Sequence, residues 1–191
     1  MTDLIVGDDG RARCFWGGST PDYAAYHDTE WGRPLRGDDA LFERLTLEAF
    51  QSGLAWITIL RKRPAFRAAF DGFSITKVAA YSEADATRLM ADAGIVRNRM
   101  KIDAALHNAR VAADLPDGLS ALLWSFAPAA RPRPATRAEV PAVTPESTAL
   151  AKDLKKRGFK FVGPTTAYAL MQATGMVDDH LTGCWVPPLT A

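Results

Sequence analysis

Apolar residues recur every three or four positions along most of this chain, and no stretch alternates apolar with polar residues in the period of a strand. That period commits the chain to amphipathic helices, each burying one face against a shared core, so an all-α fold is expected. Breaks in the period divide the helices. Asp38 and Asp39 are placed to cap a helix from about Leu41 to Ser52, Gly53 interrupts, and LAWITILRKRPAF resumes the pattern until Pro64. Ser82 stands as the cap of a helix reaching about Ala93, with Gly94 as its stop. A further helix carries Lys101 to Ala112, and LSALLWSFAP forms a short apolar helix ended by Pro128.

The segment from Pro128 to Pro145 holds Pro132, Pro134 and Pro141 as well, which excludes a regular element and leaves a disordered linker or a long surface loop. Thr144-Pro145 is an N-cap followed by proline in the first helical position. That helix stops at Gly158, the tight hairpin GFKFVG follows, and Pro164 opens a helix ending near Gly175, which makes 145–175 a helix–hairpin–helix. A length of 191 residues suffices for one domain or two small ones. No apolar run approaches the ~20 residues of a membrane helix, so no membrane partner is expected. The acidic start MTDLIVGDDGRAR does not read as a signal peptide, which points to the cytoplasm, where disulfides are rare.

The net charge of +1 does not announce a nucleic-acid binder, but the basic residues are grouped. Arg61, Lys62, Arg63 and Arg67 form one cluster, and Arg97, Arg99 and Lys101 another. Lys152, Lys155, Lys156, Arg157 and Lys160 form a third, opposed locally by Asp153 alone. Such patches either track a phosphate backbone or are solvated helix faces.

Among two cysteines and three histidines, Cys14 and His27 lie near one end, His180 and Cys184 near the other. The latter pair is four residues apart, about one helical turn, and can converge on one point. Two Cys and two His make a set that zinc favours in closed structural sites, but the wide first spacing matches no zinc finger. Separate buried cysteines with capped histidines, or a Cys14–Cys184 disulfide, fit the spacing as well. His107 belongs to no cluster and reads as a helix-surface residue.

On the helix from Leu41, a turn of about 100° per residue puts Leu41, Phe42, Leu45 and Ala49 on one stripe. Glu43 points to the opposite, solvated side. Glu48 sits at the stripe's edge, where a carboxylate either snorkels to water or is paired or lines a cavity. Trp16, Tyr23, Tyr26 and Trp31 flank the first Cys/His pair, and Trp56 follows Glu48 by about two turns. Tryptophans are usually core, yet aromatics beside a part-buried carboxylate are also what a pocket for a flat cation requires. In KKRGFKFVGPTT, glycines beside a free helix N-terminus and Lys160 at the tip make an anion site.

RCFW, YAAYHDTEWG, LEAFQSGLAWITIL, GIVRNRMKI, LKKRGFKFVG and DDHLTGC, in this order and spacing, resemble the 3-methyladenine DNA glycosylase I family. The resemblance runs from about Arg13 to Cys184; residues 1–12 stand outside it as an N-terminal extension. Ala55 stands where the family commonly has serine, and Trp185-Val186-Pro187 departs from the expected tail.

The resemblance implies a single helix–hairpin–helix glycosylase unit over 1–191, divisible into two helical lobes, with one structural zinc held by Cys14, His27, His180 and Cys184. It implies that Glu48 recognises the base, with Tyr26, Trp16 and Trp56 around it. Gly53-Leu54 corresponds to the segment filling the hole left in the duplex, and Gly158 to Gly163, with Lys160, to the phosphate-binding hairpin. The implied activity is excision of 3-methyladenine from double-stranded DNA containing alkylated bases, by a monomer. Relatives that also cleave the strand place a lysine just after the hairpin. Here Pro164-Thr165-Thr166 supplies no amine, so a monofunctional enzyme is expected. An aspartate after the hairpin is catalytic in many such glycosylases; Asp178 and Asp179 occupy that region but equally suit capping or support of His180. The rival readings are a zinc-stabilised helix–hairpin–helix module that binds DNA without chemistry and a metalloenzyme acting on a small molecule. Four protein ligands, leaving zinc no open position, count against the latter.

Overall fold

A computed structural model describes residues 3–189. The chain opens on an antiparallel ribbon of β1 (Leu4–Val6) and β2 (Ala12–Cys14), with Leu4 opposite Cys14. Helices follow: α1 (Pro21–Thr29), α2 (Asp38–Gln51), α3 (Trp56–Ala69), α4 (Ile75–Ala79), α5 (Glu83–Ala91), α6 (Arg99–Ala113), α7 (Gly118–Trp124), α8 (Pro145–Lys156) and α9 (Pro164–Ala173). The ribbon departs from the all-helical expectation; its strands are three residues each, too short for alternation to show. No described helix is long and apolar enough to cross a membrane.

The helix α2 is the axis of the core. Leu41, Phe42, Leu45, Leu47 and Phe50 are buried, and α3, α6, α7 and α9 pack around them. Phe50, Phe66, Phe70 and Phe73 continue the core as a chain of edge-on and stacked rings. Because neighbours surround α2, its polar residues Arg44, Thr46 and Glu48 are buried too. A buried charge costs free energy unless it is partnered or serves a site.

Two boundaries differ from the sequence reading, and of the two alternatives for the proline-rich stretch the structure shows the loop. Asp38 and Asp39 lie inside α2, whose N-cap is Gly37. Their carboxylates instead accept from the starts of two other helices, Ser120 N–H at 2.7 Å and Ile75 N–H at 2.8 Å. Pro64 does not end α3, which continues to Ala69 because Phe66 and Ala69 carry its buried face onward. The proline-rich stretch is a surface loop fastened to the chain beyond α9: Arg131 donates to Asp179 at 2.7 Å, and Arg133 to Asp178 at 2.8 Å and the Val186 carbonyl at 2.7 Å.

The helices α8 and α9 pack together across a short turn. Thr144 caps α8 by accepting from Ser147 N–H, with Pro145 in the first turn. The turn needs left-handed backbone at Gly158 (φ 99°), and Phe161 adopts it as well (φ 56°). His107 is no idle surface residue: its Nε2 meets the Gly158 carbonyl at 2.9 Å.

Candidate active site and metal cluster

The ribbon delivers Cys14, α1 delivers His27, and the segment after α9 delivers His180 and Cys184. All four are buried, and their ligand atoms lie within 4.8 Å of one another. Cys184 Sγ is 3.6 Å from both His27 Nε2 and His180 Nδ1, and Cys14 Sγ is 3.8 Å from His180 Nδ1. Both cysteines are free thiols, so the disulfide alternative falls away.

The outward nitrogen of each ring is held. His27 Nδ1 meets Asp28 Oδ1 at 2.8 Å, and His180 Nε2 meets the Trp31 carbonyl at 3.1 Å. Acceptors on the outer nitrogens direct the inner lone pairs toward the sulfurs, as metal-binding histidines require. Asp28 is itself held below its ordinary pKa: burial would raise it, but hydrogen bonds from Arg13, His27 and Trp185 prevail. Hydrogen bonding from Cys14 draws the Cys184 thiol far below its usual range against the effect of burial, with His180 and His27 adding to it. Gly17 closes the shell, since a Cβ there would stand 2.5 Å from the His27 ring. The donor set, its burial and its fixed rings fit a four-coordinate metal ion.

Beside the cluster is a cavity of about 390 Å³, lined by Trp16, Tyr26, Glu48 and Trp56 together with Tyr23, Trp31, Gln51, Gln172 and Asp179. The four residues that sequence reasoning nominated for the base therefore share one cavity. The Trp16 ring stands 6.2 Å from Tyr26, Tyr26 stands 5.6 Å from Trp56, and Trp31 packs edge-on against Trp16 at 5.0 Å. Tyr23 Oη accepts from the Ile57 amide at 3.0 Å and so supplies the cap that Ala55 cannot give α3.

Glu48 does not snorkel. It is 6% exposed, and its carboxylate makes no hydrogen bond among the described residues. Burial pushes its pKa up to about 7, with the positive charge of Arg44 pulling the other way. The Trp56 indole N–H is likewise buried without a partner. The buried N–H without a partner costs on the order of 1–3 kcal/mol, and the Glu48 carboxylate faces the cavity, where a polar ligand would partner it.

Behind Tyr26 runs an ion network that the sequence reading missed. Arg44 donates to Tyr26 Oη at 2.9 Å, and Glu30 accepts from Arg63 at 2.6 and 2.7 Å. Arg44 lies one turn before Glu48 on the same face, which was the available signal. Asp179 is saturated: Arg131, Tyr168 and Gln172 all donate to its side chain. Asp178 accepts from Arg133 and from the His180 and Leu189 amides. Both aspartates thus fasten the end of the chain.

Gly53 and Leu54 form an exposed turn between α2 and α3, with Gly53 at φ 81° and Leu54 40% exposed. Gly158, Lys160 and Gly163 lie in the α8–α9 turn, where Lys160 is exposed. The first basic cluster is spent on partners: Arg61 pairs with Asp22, Arg63 with Glu30 and Arg67 with Glu43, so Glu43 is not merely solvated. Of the second, Arg99 pairs with Glu83 and Asp103, and Lys101 is buried. In the third, Arg157 pairs with Asp153, while Lys152, Lys155, Lys156 and Lys160 are exposed and form no ion pair among the described residues.

Residues 16–187 match the family model described as methyladenine glycosylase. The chain is 47% identical over 182 residues to DNA-3-methyladenine glycosylase 1 of Escherichia coli (strain K12), covering 92% of this chain and 97% of that protein. It is 43% identical to DNA-3-methyladenine glycosylase of Haemophilus influenzae, covering 90% and 96%. Among solved structures it is similar to 3-methyladenine DNA glycosylase I from Staphylococcus aureus, a structure concerned with 3-methyladenine recognition. The TM-score is 0.87 and the identity 36%, over 92% of this chain and 96% of that one. With its pocket residues already gathered around one cavity, the chain belongs to the methyladenine glycosylase family.

Proposed function

We propose that the protein is a monofunctional DNA N-glycosylase that excises 3-methyladenine from alkylated double-stranded DNA. The observation that carries the reading is Glu48, a buried carboxylate without a partner facing an aromatic cavity. Such a site suits a flat cation, and methylation at N3 gives adenine a positive charge while it remains on the sugar. The same charge makes the base a good leaving group, so recognition becomes much of catalysis.

A stacked base must first be extruded, at a cost of a few kcal/mol. Leu54 is proposed to fill the gap, and Gly158, Lys160 and Gly163 to hold the backbone as the hairpin of a helix–hairpin–helix over 145–175, with the exposed lysines of α8 adding attraction for phosphates. Trp16, Tyr26 and Trp56 attract the cationic base through their ring faces, an effect worth about 2 kcal/mol when desolvated. Glu48 accepts from the adenine edge, and its charge opposes that of the base and steadies the oxocarbenium-like sugar as the bond to the base breaks. Tyr26 Oη accepts from Arg44, which leaves its own proton free for donation.

Cys14, His27, His180 and Cys184 are proposed to hold one zinc ion, whose contribution is structural: it ties the ribbon and α1 to the chain beyond α9, and four protein ligands leave no position for water. We take residues 1–191 as one catalytic unit, acting as a cytoplasmic monomer. A DNA-binding module without chemistry would have no use for an unpartnered Glu48.

The test is release of free base from methylated duplex DNA. 3-Methyladenine is expected above a heat-treated control. Its absence, with the duplex still bound, would favour the module without chemistry.

A further inference from the structure

The two turns assigned above to DNA are both held by α6. At its start, Lys101 Nζ donates to the carbonyls of Phe50 at 2.8 Å and Ser52 at 2.6 Å. These are end carbonyls of α2, immediately before Gly53-Leu54, which lack partners within their own helix. Seven residues on, the Asn108 amide closes a two-way bond with the Lys160 backbone: Nδ2 donates to the carbonyl at 3.0 Å, and Oδ1 accepts from the amide at 2.8 Å. His107 adds its contact to Gly158.

Lys101 and Asn108 are 8% and 4% exposed. A lysine so placed is a poor packing residue, and an apolar side chain of the same length would bury more cheaply. What lysine supplies is a compact donor for two carbonyls at the negative end of a helix. Seven residues make about two turns, so the anchors share a face some 10 Å apart along the axis. Neither residue lines the base cavity.

We infer that α6 is a strut fixing the distance between the turn at Gly53-Leu54 and the hairpin at Gly158–Gly163, with Lys101 and Asn108 as positioning residues for DNA. The inference rests on reading those two turns as DNA contacts. In a duplex, the gap left by an extruded base and the phosphates beside it stand at a set separation. Two independently mobile turns would each have to be ordered on binding, whereas turns clamped to one helix arrive in register.

The test is a double-mutant cycle on Lys101→Met and Asn108→Ala, read as affinity for duplex DNA containing an abasic-site analogue. Each single variant is expected to weaken binding ~10-fold, about the cost of one lost anchor. The double variant is expected to be little worse than either single one, because a strut released at one end no longer sets a distance. Free 3-methyladenine, followed by tryptophan fluorescence, should bind all three variants as it binds the wild type. Asn108→Ser removes both bonds to the Lys160 backbone with a short neutral side chain, so it should weaken binding as Asn108→Ala does; it serves if the alanine variant folds poorly. Unchanged DNA affinity in the single variants, or effects that multiply in the double one, would overturn the strut. So would loss of free-base binding in folded variants, which would assign these residues to the pocket. Wild-type protein that binds free base but not the abasic duplex would instead overturn the DNA reading of the two turns, and the strut with it.

Discussion

Arg44 stands one helical turn before Glu48 on α2, yet its guanidinium donates to the Tyr26 hydroxyl at 2.9 Å and not to the carboxylate. Its charge favours ionised Glu48 without occupying the oxygens, so the acceptors remain free for a ligand. The arrangement separates the tuning of the carboxylate from its use.

The first expectation concerns pH. With Glu48 held at about 7 in the free protein, the form competent to meet a cationic base accumulates as pH rises through that value. The kcat/KM for excision should therefore climb toward neutrality and level above it, while kcat, which reports the loaded enzyme, should have its acid limb at lower pH. Arg44→Met should move the kcat/KM limb upward. A profile flat around pH 7 would remove Glu48 ionisation from the mechanism.

Glu48→Gln should separate activity from stability. A carboxyl whose folded pKa is raised from 4.5 to about 7 binds its proton more tightly in the native state, so its contribution to stability is lost as pH rises between those values. Glutamine does not ionise, and above pH 7 the variant should be more stable than wild type by on the order of 3 kcal/mol. Excision should fall by at least ~100-fold. Melting curves of both proteins on either side of the window decide the sign.

For the metal, elemental analysis of freshly purified protein should find one zinc per chain. Cys14→Ser should lose it and destabilise the fold by more than about 3 kcal/mol. Gly17→Ala is the subtler case: its Cβ would press on the His27 ring and should weaken metal affinity ~10- to 100-fold with every ligand still present. Competition with a zinc chelator measures it.

Strand cleavage should be absent. Pro164-Thr165-Thr166 offers no amine, and Lys101 is engaged with two carbonyls. Reduction with borohydride during turnover should trap no covalent protein–DNA adduct, and a trapped adduct would identify an amine nucleophile.

The legible parts of the fold were those marked by local chemistry. Thr144-Pro145 announced α8, and Ser82 with Asp85 closes a capping box at α5. Thr20-Pro21 carries the same signature as Thr144-Pro145 and starts α1, yet it passed unread. The Asp38 and Asp39 carboxylates were misassigned because their partners, Ser120 and Ile75, are distant in sequence, and local pattern cannot choose between near and far amides. Pro64 misled for a related reason: burial of Phe66 outweighs the lost hydrogen bond. Within the site, spacing left the Cys/His set open and only the family resemblance joined it; the cluster itself shows how Asp28 and Trp31 aim its rings. The charged groups around Tyr26 come from α2, α3 and the residue just after α1, which no single window of sequence displays together.

The Leu181 amide donates to the Cys14 sulfur across 167 positions of chain, and residues from both ends line the aromatic cavity. Closing so large a loop is slow and depends on the intervening helices having already docked. The pocket is therefore among the last regions to assemble during folding, and in the native protein the proposed metal is what keeps its two ends together. Removing the metal should raise amide exchange around the ribbon and residues 180–186 while α2 stays protected, so the ends should loosen while the phenylalanine core stays shut.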